Sequence, residues 1–370
     1  MTTRREEVAA KLASVRAWLD GEGLEAVDIG SQAGFAWVTG GGDAHVSLES
    51  EASVASVLVT ASDAFLLTSN IEIHRMLDEE VTGLGLTPEE WPWSEPEAAR
   101  ATLERLCRPD RAVSDVGRVG LDAAPPSLAR LRYRLLPPEV DRYRLLGVDA
   151  AEATEAACLA ARPGDTERDV AARLAFECSR RNILPLVNLV GGDGRIDRYR
   201  HPVPTGHRIG RTLLVALTGR RHGLHASLTR MVAFGRADEE RIARHRAVAR
   251  VDTCLLLQSR PGRTLADVFA QGVAQYEAEG FPDQWRMHHQ GGLTGYGGRE
   301  IKATPSAHHR LEASSAVAWN PSVTGVKSED TALVTDGGPE VLTRTGSWPR
   351  ALVELPGGAV ERPVILARAG

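Results

Sequence analysis

The sequence predicts a mixed α/β (α+β) protein of two domains, the second built as an internal duplication. The chain has 370 residues, which is more than a single hydrophobic core usually serves. The proline pair in Leu136-Pro137-Pro138-Glu139 interrupts regular structure and places the boundary there. We therefore expect one domain at residues 1–138 and the other at residues 139–370. Two matching groups of helices after the boundary indicate the duplication.

The first domain combines helical and strand patterns. Apolar residues at helical spacing predict a helix over about residues 4–19, which Gly21 and Gly23 are expected to end. Two short runs of residues typical of strands, 56–60 and 64–68, flank a three-residue turn and predict a hairpin. These patterns are typical of a small αβ domain.

The second domain contains the same arrangement twice. A long helical pattern ends at an Arg-Pro-Gly turn, and a Thr-x-x-Asp capping box then starts the next helix. The matching positions are Arg162-Pro163-Gly164 with Thr166 and Asp169, and Arg260-Pro261-Gly262 with Thr264 and Asp267. The copies are 98 residues apart (260 − 162 = 98), and strand-rich sequence follows each. Duplicated αβ halves are expected to place a site between them, where apolar walls hold a few polar groups.

The composition is that of an ordinary globular protein, and it limits the partners. Hydrophobic residues make up 42% of the chain and charged residues 25%. The net charge is -5 and arginines are scattered among acids, so no nucleic-acid partner is expected. No apolar run reaches about 18 residues, so no membrane partner is predicted. The first segment is charged rather than apolar, which favours a cytoplasmic location.

The segment from Met287 to Glu300 concentrates chemically active residues. His288 and His289 run directly into Gln290-Gly291-Gly292, and Tyr296 follows. Histidine titrates near neutral pH and binds metals, and glycine lets a backbone approach another group closely. Because loops carry much of the chemistry of proteins, we expect this segment to line a functional site, with Gln290 to Gly292 close to the substrate.

Several motifs of the second domain occur in a fixed order. They are His201-Pro202-Val203-Pro204-Thr205, Ser227-Leu228-Thr229-Arg230, His289-Gln290-Gly291-Gly292, Trp319-Asn320-Pro321 and Lys327-Ser328-Glu329-Asp330-Thr331. With the Arg-Pro-Gly turns, they resemble the pita-bread (M24) family of methionine aminopeptidase, prolidase, Xaa-Pro aminopeptidase and creatinase. The resemblance covers the chain from about Asp141 onward, and the first domain resembles the creatinase and prolidase amino-terminal domain. It implies a creatinase-like first domain followed by a pseudo-twofold pita-bread catalytic domain.

The resemblance also implies where metal ligands should lie, and most of them are missing. Active members of the family hold two metal ions with two Asp, one His and two Glu. The corresponding positions here are Ala216, Ser227, His289, Asn320 and Glu329. Two close divalent cations need carboxylates to offset their charge, and three of these residues supply none. We therefore expect no dinuclear site and no cofactor, while a single weak divalent ion on His289, Glu329 and a third group stays open.

The resemblance favours acid/base chemistry on a small-molecule substrate. Creatinase, a family member, cleaves a C–N bond by histidine chemistry without metal. We extend that expectation to this chain, as a metal-independent creatinase-like hydrolase, with lyase or isomerase chemistry left open. Two alternatives also stay open: a metal-dependent Xaa-Pro aminopeptidase-like peptidase with rebuilt ligands, and a non-catalytic pseudo-peptidase binding module. The resemblance further implies a homodimer.

The site residues follow from the motifs. The candidate catalytic residues are His201, His289, Tyr296 and Glu329, and the candidate substrate-binding residues are His288, Arg230, Lys327, Asn320, Ser227 and Trp319. His201 matches the family histidine that assists proton transfer, which suits an imidazole near neutral pKa. Glu329 is expected to orient an imidazole or bind a cationic nitrogen. His289 and Tyr296 are expected to polarise a carbonyl or hold a water.

For four of these residues a purely structural role stays open beside the functional one, and for Glu329 it is that of a satisfied buried carboxylate. Arg230, with Lys327, is expected to anchor a substrate carboxylate, and its alternative is an internal ion pair. Trp319 is a substrate platform or a core residue. Tyr296 closes one side of the site or fills space.

Overall fold

The proline pair at Pro137 and Pro138 starts a helix of 24 residues, Pro137–Ala160. Proline is tolerated in the first helical turn because the amide hydrogen that it lacks has no partner there. The computed structural model describes residues 2–117, 120–236 and 238–369, and the chain divides into two compact units, Met1–Glu139 and Val140–Gly370. The division therefore falls in the first turn of this helix. None of the described helices is long and apolar enough to cross a membrane.

The amino-terminal unit is built on one mixed sheet. Its strands are β1 (Ala26–Ser31), β2 (Ala52–Thr60), β3 (Ala64–Ser69), β4 (Thr87–Trp91), β5 (Ala112–Ser114) and β6 (Asp122–Ala123). They lie in the order β4-β3-β2-β1-β5-β6, with antiparallel β1–β2 and β2–β3 pairs and parallel β1–β5, β3–β4 and β5–β6 pairs. Its helices are α1 (Arg4–Glu22), α2 (Gln32–Val38), α3 (Ile73–Arg75), α4 (Pro96–Leu106) and α5 (Ser127–Arg130).

The predicted hairpin and first helix of this unit are confirmed, with one shift of a boundary. The hairpin predicted over residues 56–68 is the antiparallel pair β2–β3. The first helix begins after Thr3, whose side chain forms a capping box with Glu6. It runs through Gly21 and ends at Gly23, where the backbone is left-handed with φ 68°. A glycine inside a helix weakens it without ending it.

The second unit contains two sheets and two hairpins. Its helices are α6 (Pro137–Ala160), α7 (Glu167–Ser179), α8 (Gly194–Arg198), α9 (Glu239–Gln258) and α10 (Leu265–Ala278). Its strands are β7 (Leu184–Gly192), β8 (Thr212–Arg221), β9 (Leu224–Phe234), β10 (Gly291–Thr294), β11 (Ile301–Lys302), β12 (Ala316–Trp319), β13 (Ser322–Val323), β14 (Val326–Lys327), β15 (Asp330–Leu333), β16 (Glu340–Val341), β17 (Arg350–Leu355), β18 (Gly358–Pro363) and β19 (Leu366–Arg368). The sheets have the orders β19-β9-β8-β7 and β11-β10-β12-β15-β16, and β13–β14 and β17–β18 pair as hairpins.

The predicted duplication is visible in matching contacts. Thr166 and Thr264 each cap their helix by accepting a hydrogen bond from the amide three residues on. The amide of Gly164 donates to Ile209 O at 2.7 Å, and the amide of Gly262 donates to Leu311 O at 2.8 Å. The same pairing recurs in the isolated bridges Thr166–Arg208 and Thr264–Arg310. Each half therefore fastens its Arg-Pro-Gly turn to its own later segment in the same way.

A buried threonine joins the two sheets of this unit. Thr331 on β15 donates its hydroxyl hydrogen to Ser227 O at 3.0 Å and accepts a hydrogen bond from Ser227 N at 2.8 Å. The amide of Thr229 donates to Glu329 O at 3.1 Å. Two of the motifs found in the sequence are thus brought side by side: Ser227–Arg230 on β9, and Lys327–Thr331, which runs from the end of β14 into β15.

The paired glycines before the predicted site serve the sheet. Gly291 has φ 104° and Gly292 has φ 146°. A Cβ atom on Gly291 would lie 2.1 Å from Ala318 O, and one on Gly292 would lie 2.1 Å from Ile301 O. The prediction that these glycines approach a substrate is therefore wrong, because they approach the backbones of the strands on either side of β10.

We expect Gly291→Ala to destabilise the second unit by roughly 2–5 kcal/mol, since it adds a backbone clash to a left-handed φ. Gly295→Ala in the same loop is the matched control, because the nearest atom to its added Cβ is 4.0 Å away. Its effect should stay below about 1 kcal/mol. Urea denaturation followed by far-UV circular dichroism measures both, and equal losses in the two variants would contradict this account.

Candidate functional site

A cavity of about 710 Å³ opens in the second unit where the sequence motifs meet. Its volume is within the range of small-molecule sites. Its polar lining consists of Asn188, His201, Thr218, His225, His289, Arg299, Asn320, Lys327 and Glu329. Its apolar wall comes from β7 and β8 and includes Leu186, Val187 and Ala216. Five residues that the sequence motifs predict for the site therefore line this cavity: His201, His289, Asn320, Lys327 and Glu329.

Three imidazoles form a cluster at this cavity. His201 Nε2 and His288 Nε2 are 2.9 Å apart, a hydrogen-bond distance that requires one ring to donate and the other to accept. The rings of His288 and His289 stack with centroids 4.5 Å apart. His201 lies in the irregular segment after α8, and the other two lie just before β10, so only the tertiary fold brings them together.

The environment keeps these imidazoles neutral. Burial, reinforced by the charge of Lys327, lowers the pKa of His201 from its ordinary value of 6.5. Burial and the charge of Arg299 lower the pKa of His289 to about 4. Burial also holds the pKa of His288 far below its usual range. At neutral pH each ring therefore has one nitrogen that donates and one that accepts.

A buried carboxylate with two cationic partners lies beside the histidines. Lys327 Nζ is 2.7 Å from Glu329 Oε2, and Arg299 Nη2 is 3.4 Å from Glu329 Oε1. Thr229 Oγ1 donates to Glu329 Oε2 at 2.7 Å. Burial opposes ionisation of Glu329, but Lys327 and Arg299 outweigh it, so the pKa of this carboxyl lies below its usual value. The group therefore carries two positive charges and one negative charge.

The side chains in the family's ligand positions do not fit a dinuclear metal centre. Ala216, Ser227 and Asn320 offer no carboxylate, and Glu329 is already occupied by Lys327 and Arg299. Arg299 Nη1 also lies 3.4 Å from Ser227 Oγ, so the guanidinium stands between two of the ligand positions. Without bridging carboxylates, two dications beside two fixed cations would be uncompensated.

For a single metal ion, the structure offers other ligands than His289, Glu329 and a third group, the set that the sequence left open. His201, His288 and His289 each place a possible donor atom within 4.8 Å of the others, and they are the one such group found among the described residues. Neutral imidazoles suit Zn²⁺, Ni²⁺ or Cu²⁺. The ammonium of Lys327 acts on all three rings and opposes any cation there. Glu329 is not a donor for such an ion, since its oxygens are taken.

Three predicted site residues have structural roles instead. The guanidinium of Arg230 is fully buried, pairs with Asp330 at 3.0 Å and donates to Thr343 O at 2.7 Å, so it holds the fold and does not reach a substrate. Trp319 is buried in the core and donates from Nε1 to Ser259 Oγ at 2.9 Å. Tyr296 is 1% exposed and lies outside the cavity lining, so the catalytic role predicted for it has no support.

Two other expectations change in detail. Glu329 makes no hydrogen bond to an imidazole among the described residues, so it orients Lys327 and Arg299 rather than a histidine. Ser227 is buried, and its hydroxyl contacts Thr218 Oγ1 at 2.9 Å. It therefore contacts Thr218, which lines the cavity, and does not line the cavity itself.

The motifs did not reveal four polar residues of the cavity lining: Asn188, Thr218, His225 and Arg299. Arg299 stands inside the segment Met287–Glu300, but its pairing with Glu329 joins positions 30 residues apart. A signal was present, since an arginine beside a Gly-Gly turn in a histidine-rich loop is a candidate anion ligand. Asn188 sits on β7, where nothing in the strand pattern distinguishes it from a surface amide.

The duplicated αβ halves of the second unit, with a cavity where its other motifs meet, are the features expected of a pita-bread fold. The family model of metallopeptidase family M24 matches residues 144–336, and the chain belongs to this family. The predicted family and fold class are confirmed. No curated protein matches the sequence.

Solved structures agree with this assignment at low sequence identity. The prolidase from Pyrococcus horikoshii OT3 is 17% identical, with a TM-score of 0.75 over 91% of this chain and 98% of that one. The dipeptidase PepE from Mycobacterium ulcerans is also 17% identical, with a TM-score of 0.75 over 99% of each chain. The N-terminal domain of the FACT complex subunit SPT16 from Cicer arietinum (chickpea) is 11% identical, with a TM-score of 0.69 over 94% and 96%. These likenesses establish the fold, and the site carries the argument for function.

We expect Glu329→Gln to cost about 3–5 kcal/mol of stability, because it leaves Lys327 and Arg299 buried without a counter-charge. Lys327→Met should cost less, since one cation and one anion remain paired. Lys302→Met, at an exposed position of β11, is the control for loss of a lysine. Urea denaturation at pH 7 measures the free energy of unfolding of each variant. A Lys327→Met variant less stable than Glu329→Gln would refute the charge balance described above.

Proposed function

We propose that this protein is a metal-independent, creatinase-like hydrolase that cleaves a C–N bond of a small polar substrate by histidine acid/base chemistry. Its family supports hydrolysis, since relatives of the same fold include a prolidase and a dipeptidase. The proposal that the reaction needs no metal rests on one observation: the carboxylate of Glu329 is paired with Lys327 and Arg299 and is not available as a metal ligand. Acid/base chemistry is supported by the neutral imidazoles that share the cavity.

His201 is the proposed proton carrier. Its Nε2 atom lies 2.9 Å from His288 Nε2, and when His201 donates that hydrogen bond its Nδ1 atom is the nitrogen that accepts a proton. In hydrolysis, neutral His201 takes a proton from water as the water oxygen bonds to the substrate carbon. It returns the proton to the nitrogen as the C–N bond breaks. The electron pair of that bond leaves with the nitrogen, and the histidine ends in its starting state.

Other cavity residues position the substrate. His289, neutral at pH 7, can donate a hydrogen bond to the carbonyl or imine group and stabilise the charge that develops there. The Asn320 amide lines the same cavity and is 3% exposed. These are the roles proposed for the candidates that the structure brings together.

Metal content and activity test this proposal together. Protein purified without chelator and analysed by mass spectrometry should hold no stoichiometric Mn, Co or Zn, and hydrolysis of a panel of N-acyl, carbamoyl and amidino compounds should survive chelation. His201→Ala should lower kcat by about 10²–10⁴-fold. His207→Ala is the matched control, since His207 lies nearby in the chain but outside the cavity lining.

The alternatives predict different results. A metal ion bound in stoichiometric amount, with activity restored by Mn²⁺, Co²⁺ or Zn²⁺, would establish a metal-dependent peptidase with rebuilt ligands. A binding module is favoured by one observation, the match to a domain of a FACT complex subunit. No turnover of any compound, with His201→Ala and Glu329→Ala indistinguishable from the parent protein in every assay, would support that alternative.

The pH dependence of kcat/KM should follow the titration of His201. Because its pKa is lowered, the neutral form that accepts the proton predominates at pH 7 and persists below pH 6.5. We therefore expect kcat/KM to be level near neutral pH and to fall only as the pH drops below about 6.5. The profile of Lys327→Met should move its acid limb to higher pH, since a charge that lowers the pKa of His201 is removed. A limb that stays in place would argue against His201 as the titrating base.

A homodimer and a cytoplasmic location are further parts of the proposal that follow from the resemblance and the composition. Light scattering on a sizing column measures the mass of the particle directly. A monomer at micromolar concentration would contradict the dimer without affecting the chemistry assigned to His201.

A further inference from the structure

We propose that His201, His288 and His289 form a reversible binding site for one transition-metal ion of the Zn²⁺ class, and that an ion bound there blocks proton transfer by His201. Of the three residues, His289 alone occupies a metal position of the family, so this donor set differs from the family's. The binding is independent of the proposed function. Only the loss of activity rests on that function, because the function takes His201 as the proton carrier.

The distances between the rings are the first argument. His201 Nε2 and His288 Nε2 are 2.9 Å apart, and one possible donor nitrogen from each of the three residues lies within 4.8 Å of the other two. Nitrogens on a tetrahedral Zn²⁺ ion, with bonds of about 2.0–2.1 Å, are about 3.4 Å apart. The closest pair must therefore separate by about 0.5 Å, and no pair must approach by more than about 1.4 Å. Small side-chain rotations cover both changes.

The second argument is that the rings have nitrogens left for an ion. His288 Nδ1 is buried and has no hydrogen-bond partner among the described residues. The ring of His289 packs by stacking, with its centroid 4.5 Å from that of His288 and 6.4 Å from that of His201. A neutral imidazole offers one lone pair to a metal. The three rings can therefore supply three ligands, whereas the carboxylate of Glu329 is already paired with two cations.

The donor set and its exposure indicate the kind of ion. Imidazole nitrogens suit Zn²⁺, Ni²⁺ and Cu²⁺, while Mg²⁺, Ca²⁺ and Mn²⁺ prefer oxygen ligands. Three histidines with an open fourth position are an established arrangement for zinc. His201 and His289 are exposed and line the cavity, and His288 is partly exposed. An ion can therefore reach the three rings from solvent.

Lys327 makes the binding reversible. Its ammonium is held 2.7 Å from Glu329 Oε2, and its charge acts on all three rings, so it repels a cation there. The imidazoles themselves bring no negative charge to offset a dication. We therefore expect an ion that exchanges with solvent and is lost on purification, in contrast to a resident cofactor.

An ion on these rings would remove the proposed proton carrier. The neutral ring of His201 has one lone pair, and a ring that gives this lone pair to a metal has none left for the proton of a water molecule. The ion would also break the contact between His201 and His288. Zinc is therefore expected to inhibit hydrolysis, and chelation is expected to restore it.

Isothermal titration of the full-length protein with ZnCl₂ at pH 7.5 tests the binding. We expect one Zn²⁺ per chain and no comparable binding of Mg²⁺. His201→Ala, His288→Ala and His289→Ala should each weaken zinc binding by at least about tenfold, since each removes one ligand. His308→Ala is the matched control, because His308 is also followed by a histidine but is exposed and lies outside the cavity lining. Lys327→Met should tighten the binding, because it removes the repelling charge.

Three separate variants keep the test decisive if one of them does not fold, and far-UV circular dichroism checks each. Zinc affinity that all folded members of the set leave unchanged would overturn the inference. An equal loss in His308→Ala would overturn it as well, since it would show chelation by surface histidines.

The readouts separate this inference from the proposed function. Zinc binding that depends on the three histidines, in a protein that hydrolyses no compound, leaves the metal site standing and removes the enzymatic role. Hydrolysis that depends on His201 and is unaffected by saturating Zn²⁺ overturns the inhibition and leaves the histidine chemistry standing. Activation by Zn²⁺ would overturn both the inhibition and the metal-independent reaction.

Discussion

The ion group of Glu329, Lys327 and Arg299 determines what the cavity can do. A single buried carboxylate holds two cations that come from different parts of the sequence. Its charge is satisfied by them, so it is not available to a metal ion. Burial lowers the pKa values of the neighbouring His201 and His289, the charge of Lys327 adds to it for both rings and that of Arg299 for His289, and the rings stay neutral. The absence of carboxylates at Ala216, Ser227 and Asn320, the neutral imidazoles and the excess positive charge are therefore parts of one electrostatic arrangement.

A second buried ion network holds this arrangement in register. Arg230 on β9 pairs with Asp330 on β15, and Arg362 on β18 pairs with both Asp330 and Asp252 on α9. The network joins β9 of one sheet to β15 of the other. Asp330 is the residue after Glu329, and Arg230 is the residue after Thr229, which contacts Glu329. Buried pairs of this kind add little net stability but are costly to break. The role of Arg230 is therefore to hold the neighbouring Thr229 and Glu329 in position through its ion pair with Asp330.

The fold alone does not choose among the functions considered. The same architecture occurs in a prolidase, in a dipeptidase and in a domain of a FACT complex subunit. What bears on function is the content of the cavity, in which an arginine and a lysine stand among the family's ligand positions and the imidazoles of His201 and His289 share the lining. Chemistry based on proton transfer and fixed positive charge follows more directly from these groups than chemistry based on a bound metal.

The sequence by itself determined the duplicated helix–turn–helix design, the capping boxes at Thr166 and Thr264, and the family, because these features depend on local residue order. It also placed His201, His289, Asn320, Lys327 and Glu329 in one site through their motifs. The tertiary structure decided which charges meet. Arg230 stands in a family motif and Arg299 in a predicted loop, and only the tertiary packing buries the first beside Asp330 and brings the second to 3.4 Å from Glu329. Electrostatic partners far apart in sequence are set by that packing, which no local pattern records.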